Sequence, residues 1–258
     1  MKVITFGSLK GGVGKSTLSV SIARCLATQF KVLAIDFETA NSSMSSVFTP
    51  VDKLLEYDPK NQKHIAAALQ GANLQDFAIP SVYNNLDLIR SNINLSMLRP
   101  NQNLFKRLIA SSDLSKYDYI VCDTSPVWYD ITLTAYEGSD IIITPVLMSQ
   151  FCYMPTTFLR DRLPIDTSVA DKWKIVYNQW GQHWEDSQKG TQTDYQQLFE
   201  SSFNNILKTR IPATNLIRDC IDRQELISDS VKYKKLRDSI ISLTNEITGL
   251  KLDINGGF

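Results

Sequence analysis

The chain carries no net charge: in 258 residues, 27 lysines and arginines are matched by 27 aspartates and glutamates. Global charge therefore gives no reason to meet nucleic acid or acidic lipid, and any such surface has to be local. Cysteine is scarce as well. Cys25, Cys122, Cys152 and Cys220 are widely spaced and include no C-x-x-C pair, so they read as reduced cytosolic thiols rather than a disulfide framework. No apolar run approaches membrane-spanning length. The C-terminal stretch from Leu250 to Phe258 is short and lightly charged, which argues against a basic amphipathic membrane anchor. Because a first strand begins at Lys2, no signal peptide, transit peptide or added N-terminal DNA-binding domain is expected. The length suits one large α/β domain spanning 1–258.

What is present is concentrated in Lys10-Gly11-Gly12-Val13-Gly14-Lys15-Ser16-Thr17. This run follows the β-branched and aromatic Val3-Ile4-Thr5-Phe6 and precedes a stripe at helical spacing, Leu18, Ile22, Cys25 and Leu26. It therefore occupies a strand-to-helix turn. Glycines at 11, 12 and 14 let the backbone fold round an anion without Cβ clashes, and the positive end of the following helix favours one. Lys15 is placed to reach the β- and γ-phosphates of a nucleotide. Ser16 offers a hydroxyl to Mg²⁺, and Thr17 can hydrogen-bond a phosphate nearer the base. The glycine usual five residues before Gly14 is missing, however. Leu9 stands there, beside a second lysine, Lys10.

That departure resembles the deviant Walker A box of the ParA/MinD family of P-loop ATPases, with the short ParA-type partition ATPases that lack an N-terminal helix-turn-helix as the nearest likeness. The resemblance implies a doubly wound, mainly parallel α/β sheet flanked by helices. It also implies ATP and Mg²⁺ as cofactors and an ATP-state homodimer in which Lys10 reaches the partner's phosphates. Lys31-Val32-Leu33-Ala34-Ile35-Asp36 reads as a strand buried on both faces, followed by a turn-rich Phe37-Glu38-Thr39-Ala40-Asn41-Ser42-Ser43. The latter resembles the family's switch I, usually Asp-x-Asp-x-Gln. Here Glu38 and Ala40 take the last two positions, and Glu38 inherits the water-placing role with an extra methylene.

Tyr117-Asp118-Tyr119-Ile120-Val121-Cys122-Asp123, followed by Thr124-Ser125-Pro126, resembles a Walker B strand. Asp123 would hold a water of the Mg²⁺ shell opposite Ser16. The family usually reads Asp-Thr-Pro-Pro, so Ser125 departs at one position. By resemblance the catalytic set is Lys10, Lys15, Glu38 and Asp123, and the metal set Ser16, Asp36 and Asp123. Cys122 lies inside this strand and offers no cysteine pair for a nitrogenase-type cluster.

Elsewhere, Val51 to Gln62 reads as loop, Ile65–Leu69 as a short helix, Leu86–Arg90 as a strand, and Leu104, Leu108 and Ile109 as a helix face. Ser139–Val146 and Lys174–Asn178 read as further strands. The helix between them includes Phe158, Leu159 and Leu163. Asn178 is the candidate adenine contact, with a turn-forming asparagine as the alternative. Trp173, Tyr177, Trp180 and Trp184 read as core rather than a base-stacking platform. A helix is expected over Tyr195–Leu207. The Ile211-Pro212 pair resembles a family segment whose backbone lies against adenine. Val231, Leu236, Ile240, Leu243 and Ile247 form the stripe of a closing helix.

Between Lys208 and Arg237 lie eight cations and four acids. A local basic face there, with Arg210, Arg218, Lys232, Lys234, Lys235 and Arg237 as candidate DNA contacts, would bind phosphate backbone without reading bases. The resemblance implies nonspecific DNA and a ParB-like centromere-binding protein as partners, no membrane, and a cytoplasmic, nucleoid-associated location. A MinD-like or other cargo-positioning ATPase, or a slowly hydrolysing ATP-bound scaffold, remains as the alternative.

Overall fold

The computed structural model describes residues 1–39, 43–50, 63–71, 73–181, 191–228, 230–254 and 257–258, without the side chains of 191–193 and 218. Ala40, the expected loop over 51–62, Trp184 and the Arg218 side chain thus lie outside the described residues.

Short apolar runs build an eight-stranded sheet: β1 (Lys2–Phe6), β2 (Val32–Phe37), β3 (Ile79–Pro80), β4 (Leu86–Ile89), β5 (Tyr119–Thr124), β6 (Ile141–Val146), β7 (Trp173–Trp180) and β8 (Ile206–Pro212), in the order β3-β4-β2-β5-β1-β6-β7-β8. All neighbours run parallel except the short edge strand β3. The helices are α1 (Lys15–Ala27), α2 (Ser43–Phe48), α3 (Ile65–Ala68), α4 (Leu104–Ser111), α5 (Asp130–Glu137), α6 (Gln150–Asp166), α7 (Thr191–Ser202), α8 (Leu216–Asp222) and α9 (Lys234–Thr248). The doubly wound, mainly parallel fold expected from the sequence is the one observed.

Strand alternation sends successive side chains to opposite faces. On β2, Val32 and Ala34 join a core cluster with Leu18 and Ile22 of α1 and Ile240 and Leu243 of α9. Leu33, Ile35 and Phe37 pack on the other face with Phe105 of α4 and Ile131 of α5. A third cluster, under α6 and α7, combines Ile142, Ile175 and Tyr177 with Leu159, Leu163 and Phe199. Leu252, Ile254 and Phe258 of the C-terminal stretch are buried in the first cluster. Among the described residues no helix is long and apolar enough to cross a membrane.

Two elements differ from the sequence reading. The helix expected to run to Leu207 stops at Ser202, and Leu207 belongs to β8. The chain there gains more by pairing with the free edge of β7 than by continuing a helix, and Glu246 of α9 accepts hydrogen bonds from Lys208 N (2.7 Å) and Thr209 N (2.9 Å) on the strand's outer edge. Val231 precedes α9 instead of joining its stripe, and is 89% exposed.

The topology fixes where a ligand belongs. β1 leads outward past β5 to β2, whereas β5 crosses over β1 to reach β6, so connections diverge at the carboxyl end of β1. Open α/β sheets bind ligands at such a divergence.

Candidate functional site

The turn after β1 closes over that crevice. Gly14 is the N-cap of α1 at φ 93°, and no side chain caps the helix. The helix supplies no partner to its own first-turn N–H groups, which leaves its positive end open to an anion. Gly12 is also left-handed, at φ 77°. Gly14 is fixed by space as well as by angle: a Cβ there would lie 2.2 Å from Nδ2 of Asn178. Asn178, at the end of β7, donates Nδ2 to the Val13 carbonyl at 2.8 Å. The adenine candidate therefore braces the loop from behind.

The two lysines of the loop part company. Lys15 is 6% exposed, and burial lowers its pKa, with the charges of Asp123 and Glu38 pulling the other way. Lys10 is exposed on the rim, its ammonium 6.0 Å from the centre of the Phe151 ring. Around it α6 turns apolar residues outward: Phe151 is 75% and Met154 64% exposed, while Cys152, Thr156 and Leu159 face the core. Ser16 and Thr17 are half-buried at the start of α1.

Three carboxylates meet beneath the loop. Phe6 and Asp36 both register with Asp123, which places the two acids side by side at adjacent strand ends. Asp36 is fully engaged: Oδ1 accepts from Glu38 N (2.9 Å), and Oδ2 from Ser45 N (2.8 Å) and the Ser45 hydroxyl (2.7 Å). Burial raises its pKa to about 6 against these bonds. Asp123 is different. It is fully buried, and neither oxygen has a hydrogen-bond partner among the described residues. Burial, and then the charge of Asp36, push its pKa to about 8, and the nearby Ser16 hydroxyl and Lys15 ammonium offset this only in part.

A buried carboxylate with both oxygens orphaned is costly unless something completes it. Beside Ser16 and an open helix end, a hydrated divalent cation bound with phosphates fits that need. Among the described residues no three His, Cys, Asp or Glu side chains gather to hold a metal by themselves. Mg²⁺ is taken up with phosphate and few protein ligands. The unfolded Asp123 carboxyl ionises near pH ~3.9. The folded one does so only near 8, so between these values the folded chain holds more protons, and rising pH lowers its stability. The nucleotide-free protein is thus expected to melt lower at pH 8.5 than at pH 6, and Asp123→Asn to remove much of that slope in calorimetry. An equally steep slope in the variant would place the titration elsewhere.

Glu38 is 4% exposed and is held from several sides. Ser125 Oγ lies 2.9 Å from its Oε1, and its carbonyl accepts from the Ser91 hydroxyl. Ser91 N in turn donates to Ser45 Oγ at 2.9 Å. Ser45 and Ser91 went unnoticed in the sequence because isolated serines carry no pattern. Ser125 was visible only as an irregularity.

The remaining candidates lie apart. Ile211 is core, and Pro212 registers with Trp180 on β7. Arg210 stacks on Trp180, 4.0 Å from ring centre to guanidinium carbon. Trp173 and Tyr177 are buried, as the core reading expected. Lys208, Arg210, Lys234 and Lys235 line one groove of about 740 Å³ between β8 and α9, with Val231 and Asp238. Arg237 instead donates to the Ile254 carbonyl, and the Lys232 ammonium lies 5.4 Å from the centre of the Tyr233 ring.

Residues 1–162 match the family model AAA_31, an AAA domain. The virulence plasmid ParA family protein pGP5-D of Chlamydia psittaci is 21% identical over 258 residues, covering 96% of this chain and 94% of that protein. A Borrelia burgdorferi B31 protein described as a plasmid partition protein, solved with bound AMPPNP, is 25% identical with a TM-score of 0.73, over 94% of this chain and 97% of that one. The fold also matches cobyrinic acid a,c-diamide synthase from Mycobacterium smegmatis, solved with ADP and magnesium, at 18% identity and TM-score 0.69, covering 98% of each chain. The chain belongs to the AAA_31 family and is of the ParA/MinD type of P-loop NTPases.

Proposed function

We propose that this chain, acting as a single domain, is a Mg²⁺–ATP-dependent dimer switch that segregates DNA. The observation that carries this reading is the separation of the two loop lysines. Lys15 is buried where a phosphate in its own loop would lie, whereas Lys10 stands outside on an apolar rim. A second copy facing this rim would receive Lys10 at its own nucleotide and cover Phe151 and Met154.

In the proposed site the Gly11–Thr17 backbone and the helix end hold the phosphates, and Lys15 neutralises them from below. Ser16 and Asp123 hold Mg²⁺, with Asp36 keeping the loop beside them in place. When bound, Mg²⁺ supplies charge neutralisation at the phosphate oxygens. Glu38 orients the attacking water. Asn178 secures the loop through Val13. ATP hydrolysis would dissolve the dimer.

The nucleic-acid surface proposed is the groove between β8 and α9. Its four cations face one cavity with one acid, Asp238, a local excess on a neutral protein. Plasmid-linked relatives and a partition protein among the structural neighbours support DNA as the ligand and a ParB-like protein as the hydrolysis partner. A nucleoid location follows from this reading.

Replacing Lys208, Lys234 and Lys235 by alanine is expected to weaken binding to all DNA sequences alike. It should also reduce the slope of log affinity against log salt by about 2.7 per protomer, at ~0.9 per lost phosphate contact. Fluorescence anisotropy across a salt series reads this. An unchanged slope would move DNA off this groove.

A further inference from the structure

We propose that Ser125 is a positioning residue for Glu38, its hydroxyl fixing the carboxylate and the adjoining backbone in the geometry from which water is placed. The inference rests on the reading of the chain as an ATP-hydrolysing switch.

Ser125 is 1% exposed at the end of the strand that carries Asp123. Its Oγ has three close polar neighbours: Glu38 Oε1 at 2.9 Å, Thr39 N at 2.8 Å and Thr39 Oγ1 at 3.0 Å. A hydroxyl has one proton and two lone pairs, and an ionised carboxylate only accepts. One assignment satisfies everything. The Ser125 proton goes to Glu38, while the Thr39 N–H and the Thr39 hydroxyl donate to Ser125. The Phe37 carbonyl, at 3.5 Å, is then a neighbour and not a partner.

The geometry also explains a pairing that the sequence left as two separate oddities. Glu38 is longer by one methylene than the aspartate usual at that position, and so has one more torsion to fix. Ser125 stands where proline is usual, and proline has no hydroxyl. The two departures touch. The hydroxyl takes up the freedom that the longer acid adds, and Thr39 ties the same oxygen to the switch backbone. Glu38 is thereby held at its N–H by Asp36, at its carbonyl by Ser91 and at its carboxylate by Ser125.

The test compares Ser125→Ala and Ser125→Thr in Mg²⁺–ATP hydrolysis, together with amide exchange of Thr39 by NMR on the nucleotide-free protein. Ser125→Ala should lower kcat by about 10- to 100-fold with KM for ATP unchanged, the loss expected for a displaced reacting group. Ser125→Thr should restore most of it. In a Glu38→Ala background, Ser125→Ala should have no further effect, since a residue that acts through Glu38 has nothing left to position. Thr39 exchange should quicken in Ser125→Ala and not in Ser125→Thr. Full kcat in Ser125→Ala, an equal fall in the Glu38→Ala background, or unchanged Thr39 exchange would each overturn the proposal while leaving the ATPase reading intact. A wild-type protein that hydrolyses no ATP would overturn both.

Discussion

Lys15→Ala is expected to abolish useful nucleotide binding, lowering ATP affinity by about 10²-fold or more in titration calorimetry. The ammonium is buried within the field of Asp123 and Glu38, and burial disfavours its charge. The charges of Asp123 and Glu38 offset part of that cost, and a bound phosphate would add a further negative partner. Truncating one partner of such a buried charged set costs roughly 2–5 kcal/mol, much of it from the charges left behind. Here three carboxylates would remain, two of them already raised by burial. The folded protein should survive, because an alanine fits the start of α1 well. Unaltered ATP affinity in a folded variant would remove the phosphate assignment.

Lys10→Ala should behave differently. Its side chain is exposed, its ammonium lies 6.0 Å from the centre of the Phe151 ring, and such a contact at an exposed site is worth only ~0.5–1 kcal/mol. Stability and ATP binding to one subunit should therefore change little. Hydrolysis should fall by about 10³-fold or more, the scale set by cations supplied in trans to other nucleotide sites. The two lysines, five residues apart in the same loop, are thus expected to separate binding from turnover. Normal turnover in Lys10→Ala would mean that the rim lysine serves no phosphate.

The phosphate loop and the central strands were legible in the sequence because each is contiguous. Lys10 through Thr17 carries its chemistry in eight neighbouring residues, and Lys31–Asp36 and Tyr117–Asp123 are apolar runs that only a doubly covered parallel sheet accommodates. What escaped depends on distance along the chain. Asp36, Ser45, Ser91 and Ser125 are joined by hydrogen bonds through Glu38, yet span ninety positions with no spacing rule. The amide of Asn178 reaches a carbonyl 165 residues away. β8 was missed for another reason. It is an edge strand with exposed, polar Lys208 and Arg210, so it lacks the continuous apolar run by which the central strands stand out. Val231 fits the stripe of α9 by spacing, but the helix begins at Lys234, and spacing alone does not start a helix.

The basic groove shows how composition becomes a surface. Eight cations between Lys208 and Arg237 look like one cluster in the sequence. Folding sends Arg237 to the C-terminal segment, while Lys208, Arg210, Lys234 and Lys235 line the same groove, with Arg210 also stacked on Trp180. Local charge is set by the pairing of β8 with α9, not by the count.

The claim on which the rest depends is that two copies share their phosphate sites through Lys10. Multi-angle light scattering of the wild-type chain with Mg²⁺ and a non-hydrolysable ATP analogue, beside Lys10→Ala under the same conditions, tests it most directly. A shift from monomer to dimer mass in the wild type, absent in Lys10→Ala although that variant still binds the analogue, is the expected result. A wild-type protein that stays monomeric at saturating analogue would contradict it.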